Sequence, residues 1–155
     1  MNCKLLWIAT IVGLTILGCA GSATKGGLVK GESQMVAKLK SVGGEIRVDE
    51  RGRVIEVNWA GVGVGDADLI LLKGQYEIVS LFLSNTRVTD AGLDHLRGLP
   101  NLRTLGLAQT QVSDAGLVVL REVKSLRKVY LFRARVTEAG VKDFQKAVPG
   151  CAVEY

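Results

Sequence analysis

Histidine occurs once in the 155 residues, as His95, alongside three cysteines, two prolines and only 5% aromatic residues. Each scarcity removes a class of function. A zinc site gathers three or four His, Cys or carboxylate ligands at short spacings, and no such spacing is present. Nucleophilic catalysis wants a nucleophile, a base and an orienting group that converge. Here the one thiol in the body of the chain, Cys151, stands far along the chain from His95, so no triad is expected. The other cysteines, Cys3 and Cys19, fall in the N-terminal segment, which leaves Cys151 no partner for a disulfide within the domain. A small packing residue is the expected role for it. The aromatics are too few for a base-stacking platform, so a nucleic-acid partner is not expected. No metal or other cofactor is expected either.

Long apolar runs are also lacking. The longest, residues 5–17, follows a short polar start with Lys4 and is too short for a membrane span. With Gly18, Cys19 and Ala20 after it, this is the layout of a secretory signal, residues 1–18. Ile16, Leu17, Gly18 and Cys19 resemble a bacterial lipobox, in which the signal is cut before the cysteine and that cysteine is acylated. The resemblance implies a lipid-anchored envelope protein with palmitate-type chains on Cys19. Ala20 at the following place implies outer-membrane sorting in a two-membrane bacterium, with the domain facing periplasm or exterior. An ordinary cleaved signal or an uncleaved anchor would export the domain equally. Residues 19–31, rich in Gly, Ser, Thr and Lys, form a flexible tether under this reading.

What the chain has in abundance is repetition. Residues 88–111, VTDAGLDHLRGLPNLRTLGLAQTQ, and 112–135, VSDAGLVVLREVKSLRKVYLFRAR, share Val, Asp-Ala-Gly-Leu and the leucines at 96/120, 102/126 and 107/131. The same 24-residue step runs back through residues 64–87 and forward through 136–155. Within one unit, Leu105 and Leu107 alternate with Thr104, Gly106 and Ala108, the period of a strand with one buried face. Thr89 and Asp90 then open a short helix, the hydroxyl capping free amides and the carboxylate meeting the positive helix end. Leu93 and Leu96 share a face of that helix, and Gly98 with Pro100 ends it. One such unit cannot bury its apolar face alone, so stacking must supply the core.

This pattern resembles the leucine-rich repeat family, in the variant VTDAGLxxLxxLxxLxxLxLxxT, over residues 53–155. The resemblance implies an α/β solenoid with a parallel sheet on the concave face and helices on the convex face. It also implies protein recognition as the usual role. The family's asparagine at the turn is Thr86, Thr110 and Ala134 here, so the last turn loses a bond. Ahead of the repeats, Met35, Val36 and Leu39 lie at helical spacing, predicting a helix over 32–42 that stops at Gly43 and Gly44. Residues 45–59 alternate polar and apolar around Glu50, Arg51 and Gly52, predicting a β-hairpin. Helix and hairpin would cap the solenoid within a domain covering residues 32–155. Val153 and Tyr155 fall at the two buried places of a final strand.

Register leaves some positions free to serve function. Asp66, Asp90, Asp114 and Glu138 recur every 24 residues, and helix capping explains them better than a cation-holding row. The glycine-rich stretch from Gly61 to Asp66 lacks the Lys-Ser/Thr of a phosphate loop and falls where a strand-to-helix turn is due. Outward strand positions form columns: Asn58, Phe82, Gly106, Tyr130 and Glu154, flanked by Glu56, Ser80, Thr104, Lys128 and Ala152, and by Ala60, Ser84, Ala108 and Phe132. Exposed aromatics among basic residues mark interfaces. Phe82, Arg103, Arg127, Lys128, Tyr130, Phe132 and Arg133 are therefore the expected partner-binding residues, with Arg135 nearby. The net charge is +5, and loss of Lys4 with the signal leaves 19 basic against 15 acidic side chains. That balance favours an acidic protein surface, an anionic polysaccharide or lipid headgroups. The expected function is a membrane-anchored, non-enzymatic envelope module that binds a protein or anionic polymer on its concave sheet. A self-associating envelope subunit and a hydrolase centred on Cys151 or an Asp are the alternatives.

Overall fold

Residues 34–155 are described by the structure, a computed structural model. The expected signal, Cys19 and the tether lie outside the described residues. The chain forms helix α1 (Gln34–Ser41) and strands β1 (Glu45–Val48) and β2 (Val54–Asn58), then a 3₁₀ helix (Asp66–Leu72), β3 (Ser80–Phe82) and a second 3₁₀ helix (Gly92–Gly98). β4 (Thr104–Gly106), α2 (Asp114–Leu120), β5 (Lys128–Tyr130), α3 (Glu138–Ala147) and β6 (Ala152–Glu154) complete it. The first two helical connections are 3₁₀ over seven residues each, whereas the equally long α2 is α-helical.

The six strands form one sheet in sequence order. β1 runs antiparallel to β2, and every later neighbour is parallel. Register follows the repeat: Val57, Leu81, Leu105, Val129 and Val153 are successive partners. Their neighbours in the next turn are equally regular, with Trp59 N–H donating to Phe82 O, Leu83 to Gly106, Leu107 to Tyr130 and Leu131 to Glu154.

Repetition builds the core in columns. Val57, Leu81, Leu105 and Val129 are fully buried from the strands; Leu69, Leu93, Leu117 and Val141, with Leu72, Leu96, Leu120 and Phe144, are fully buried from the helices. Ile78, Leu102 and Leu126 close the floor. Such positions stabilise by about 25 cal/mol per Å² removed from water, which no single turn could collect alone. At the N-terminal end α1 buries Val36 and Leu39 against this core. Arg53 ties the hairpin to the first turn through Asp49 at 2.6 Å and Glu77 at 2.7 Å. At the other end Val153 is half-buried and Tyr155 is 55% exposed. The expected burial of Tyr155 is thus corrected: no further strand among the described residues packs over it.

Candidate functional site

Three of the recurring carboxylates, Asp66, Asp90 and Asp114, reach forward into the next turn, while Glu138 pairs with Lys142 in its own helix. Asp66 accepts from Thr89 N (2.7 Å) and Thr89 Oγ1 (2.6 Å), Asp90 from Ser113 N (2.7 Å) and Oγ (2.6 Å), and Asp114 from Thr137 N (2.8 Å) and Oγ1 (2.7 Å). Asp66, Asp114 and Glu138 do stand in the first turn of their own helices as expected from sequence, but the bond between turns made by Asp66, Asp90 and Asp114 was not expected. Capping of the later helices falls to the hydroxyls themselves, Ser113 accepting from Ala115 N and Thr137 from Gly140 N. With both oxygens of each aspartate accepting from the next turn, the row is a set of staples between turns. The Thr137 amide and hydroxyl hold the Asp114 carboxyl below its usual range.

The staples explain the glycine of each Asp-Ala-Gly-Leu. A Cβ on Gly92, Gly116 or Gly140 would collide with the carboxylate of Asp66, Asp90 or Asp114 respectively. The first turn carries Asp68 in place of that glycine, and the residue 24 before Asp66 is Val42, so no carboxylate arrives. Asp68 instead accepts from Gly65 N at 2.9 Å. Thr86 and Thr110, at the family's asparagine place, are buried and donate to Leu83 O and Leu107 O within their own turns.

A second recurrence lies where each strand ends. Gly61, Asn85, Gln109 and Arg133 all have positive φ, at 73, 56, 56 and 58°. The first three donate their N–H groups to the next turn, at Ser84, Ala108 and Phe132. Glycine and asparagine tolerate this left-handed geometry; for Gln109 and Arg133 it costs roughly 1–2 kcal/mol each.

The outward columns fall as their register requires. Asn58, Phe82, Gly106, Tyr130 and Glu154 are aligned partners, as are Glu56, Ser80, Thr104, Lys128 and Ala152. Lys128 Nζ stands 2.7 Å from Glu154 Oε1 and 4.7 Å from the centre of the Tyr130 ring. Glu154 first, then Tyr130, raises the Lys128 pKa above its ordinary value. Phe132 is 58% exposed with the Arg133 guanidinium 5.2 Å over its ring. These four side chains form two cation–aromatic pairs on adjoining positions of one turn.

The other expected contact residues sit apart from them. Phe82 is half-buried because its ring lies over Gly106, where an added Cβ would stand 3.0 Å from Phe82 Cδ1. Arg103 and Arg127 are exposed one residue before β4 and β5, at the strand-entry rim. The Arg127 guanidinium is turned onto the carbonyls of Lys124 (3.1 Å) and Leu126 (2.9 Å).

Compared with solved structures, the chain is similar to internalin C2 from Listeria monocytogenes, with a TM-score of 0.51 and 17% identity over 78% of this chain. The fold is that of a leucine-rich repeat protein. This chain spans 62% of the length of that internalin. Internalin F from the same organism aligns with a TM-score of 0.40 and 14% identity, covering 56% of this chain and 30% of the other. No family model matches the sequence, and no curated protein matches it.

Elsewhere, Cys151 is buried, and burial raises its thiol pKa, with Arg127 pulling weakly the other way. His95 is half-buried on the second 3₁₀ helix. Among the described residues no group of three or more His, Cys, Asp or Glu is placed to hold a metal, and no helix is long and apolar enough to cross a membrane. Sequence reasoning passed over Tyr76. It is 60% exposed and lines a cleft of about 430 Å³ between the hairpin turn and the turn before β3. The signal was available in register: the equivalent places in later turns are Pro100 and Lys124.

Proposed function

We propose that this chain is a non-enzymatic binding module that docks a protein partner on its concave sheet and is held at a membrane surface by acyl chains on Cys19. The carrying observation is Phe132, an aromatic ring more than half exposed beside Tyr130 in a chain whose repeat register buries its leucines completely. Register calls for no aromatic at either place, since the residues equivalent to Tyr130 include Asn58 and Gly106 and those equivalent to Phe132 are Ala60, Ser84 and Ala108. Lys128, Tyr130, Phe132 and Arg133 form the centre of the docking surface, with Phe82, Arg103 and Arg127 around it. Aromatic rings and arginines at the middle of a patch are the residues that dominate protein interfaces. The solenoid itself is a display surface, and the displayed residues decide the partner.

A buried thiol whose pKa burial raises, and a histidine in a different turn, support the non-enzymatic reading. The lipobox-like Ile16, Leu17, Gly18 and Cys19 support anchoring in a bacterial envelope, at the outer membrane where two membranes exist.

Changing Tyr130 and Phe132 together to Ser should abolish capture of the partner from envelope extract while leaving the unfolding midpoint within the range of surface substitutions. Undiminished capture by the folded double variant refutes concave docking. Cys19→Ser should stop incorporation of a clickable fatty acid. A second reading rests on β6, which lies at the edge of the sheet opposite β1. Pairing of that edge with another copy would appear as a dimer in size-exclusion chromatography of the full chain in detergent.

A further inference from the structure

We propose that the strand-exit rim, carried by Asn85, Arg87, Gln109, Gln111, Arg133 and Arg135, binds an anionic polysaccharide. All six side chains are exposed. They fall in two rows at repeat spacing, Asn85–Gln109–Arg133 and Arg87–Gln111–Arg135, on three successive turns. The three rim segments, residues 84–89, 108–113 and 132–137, contain three arginines and no acidic residue. None of these arginines forms an ion pair with a described residue, although Arg47, Arg53 and Arg97 all do. The nearest acids along the chain are committed elsewhere. Asp90 and Asp114 spend their oxygens on Ser113 and Thr137, and Glu138 pairs with Lys142 at 3.6 Å.

Backbone geometry supplies an independent argument. The left-handed turn position recurs four times, and Gly61 shows the residue that relieves it. Gln109 and Arg133 occupy it at a conformational cost. Strain retained at a surface position points to a use for the side chain other than stability.

Charge and spacing select the occupant. Successive turns stand about 4.8 Å apart, whereas an extended peptide presents same-side residues about 6.6 Å apart and slips out of step across three turns. One pyranose unit advances a glycan chain by a step close to the turn spacing. Amides hydrogen-bond sugar hydroxyls, guanidinium groups take carboxylate or sulfate in a bidentate fork, and Phe132 at the end of the rim offers a ring to a sugar face. The rim shares Phe132 and Arg133 with the concave docking surface, so the two readings are separated by residues that belong to one alone: Tyr130→Ser for the sheet, and Arg87→Ser with Arg135→Ser for the rim.

The test titrates the full chain in detergent with carboxylated and sulfated oligosaccharides, with neutral oligosaccharides and poly-aspartate as comparisons. Expected are saturable binding of an acidic oligosaccharide, none of the neutral ones, and weakening as salt rises through the physiological range. Arg133→Gly should cost at least fivefold in affinity while the thermal midpoint stays level or rises, and Arg87→Ser with Arg135→Ser should cost at least tenfold. No binding of any acidic oligosaccharide, equal binding of neutral ones, tighter binding of poly-aspartate, or unchanged affinity in these variants overturns the proposal.

Discussion

Gly116→Ala should destabilise this protein, although Gly→Ala in a helix ordinarily stabilises by about 0.5–1 kcal/mol. Gly116 lies in α2, where the added methyl would collide with Asp90 Oδ1 and stand 2.8 Å from Leu93 Cδ1 and 2.9 Å from Val112 Cγ1. Displacing the carboxylate breaks its bonds to Ser113 N and Oγ. Bonds to a charged group contribute about 1.5–3 kcal/mol each, and the half-exposed site brings the pair to about 2 kcal/mol together. Crowding Leu93 and Val112 adds about 1 kcal/mol. A net loss of about 2–3 kcal/mol follows. Asp90→Ala alone should cost about 2 kcal/mol. Once the carboxylate is gone, the alanine at 116 has less to strike, so the double variant should cost about 1–2 kcal/mol less than the sum. Urea unfolding followed by Trp59 emission reads all three, since Trp59 is fully buried and the chain's other tryptophan, Trp7, precedes the domain. A neutral or stabilising Gly116→Ala, or strict additivity of the pair, would refute the staple as the reason for the glycine.

Three further outcomes are expected. Leu105→Ala, at a fully buried strand position between Leu81 and Val129, should lower stability by about 2–5 kcal/mol in the same assay. The Asp114 carboxyl has a folded pKa below its unfolded value, so its contribution is present above the unfolded value and is lost as pH falls through the folded one. Asp114→Asn should therefore flatten the stability curve below about pH 4, and an unchanged acid limb would contradict the assignment. Native Cys151 should react with a thiol-directed disulfide reagent far more slowly at pH 8 than the unfolded chain does; equal rates would mean that the thiol is not buried.

The leucine spacing carried most of the architecture. Because one 24-residue step sets strand, turn and helix together, the partners Val57, Leu81, Leu105 and Val129 and the outward columns were legible from the chain alone. The staples were not. An aspartate after Thr or Ser at a helix start reads as a local cap, and its engagement 23 residues ahead depends on how closely two turns stack. The trace in the sequence was the pairing of Asp with Gly two residues on, broken in the first turn by Asp68. The candidate site was legible only in part. Register placed Tyr130 and Phe132 outward, but the ring of Phe82 settling over Gly106 and the Arg127 guanidinium folding onto its own turn are side-chain events that no periodicity encodes. The left-handed φ of Gln109 and Arg133 was hidden for a related reason, since neither residue type advertises that geometry as Gly61 does.

The forward reach of each aspartate gives the coil a direction. Every middle turn carries a plug, its carboxylate, and a socket, the glycine and hydroxyl that receive the plug from behind. The opening turn has a plug without a socket, and Asp68 fills the vacancy. A duplicated 24-residue segment inserted between existing turns would therefore arrive with both fittings and join without altering its neighbours. Lengthening such a protein is a matter of copying, whereas a copy placed ahead of the opening turn would meet the Asp68 side chain where its own carboxylate needs room.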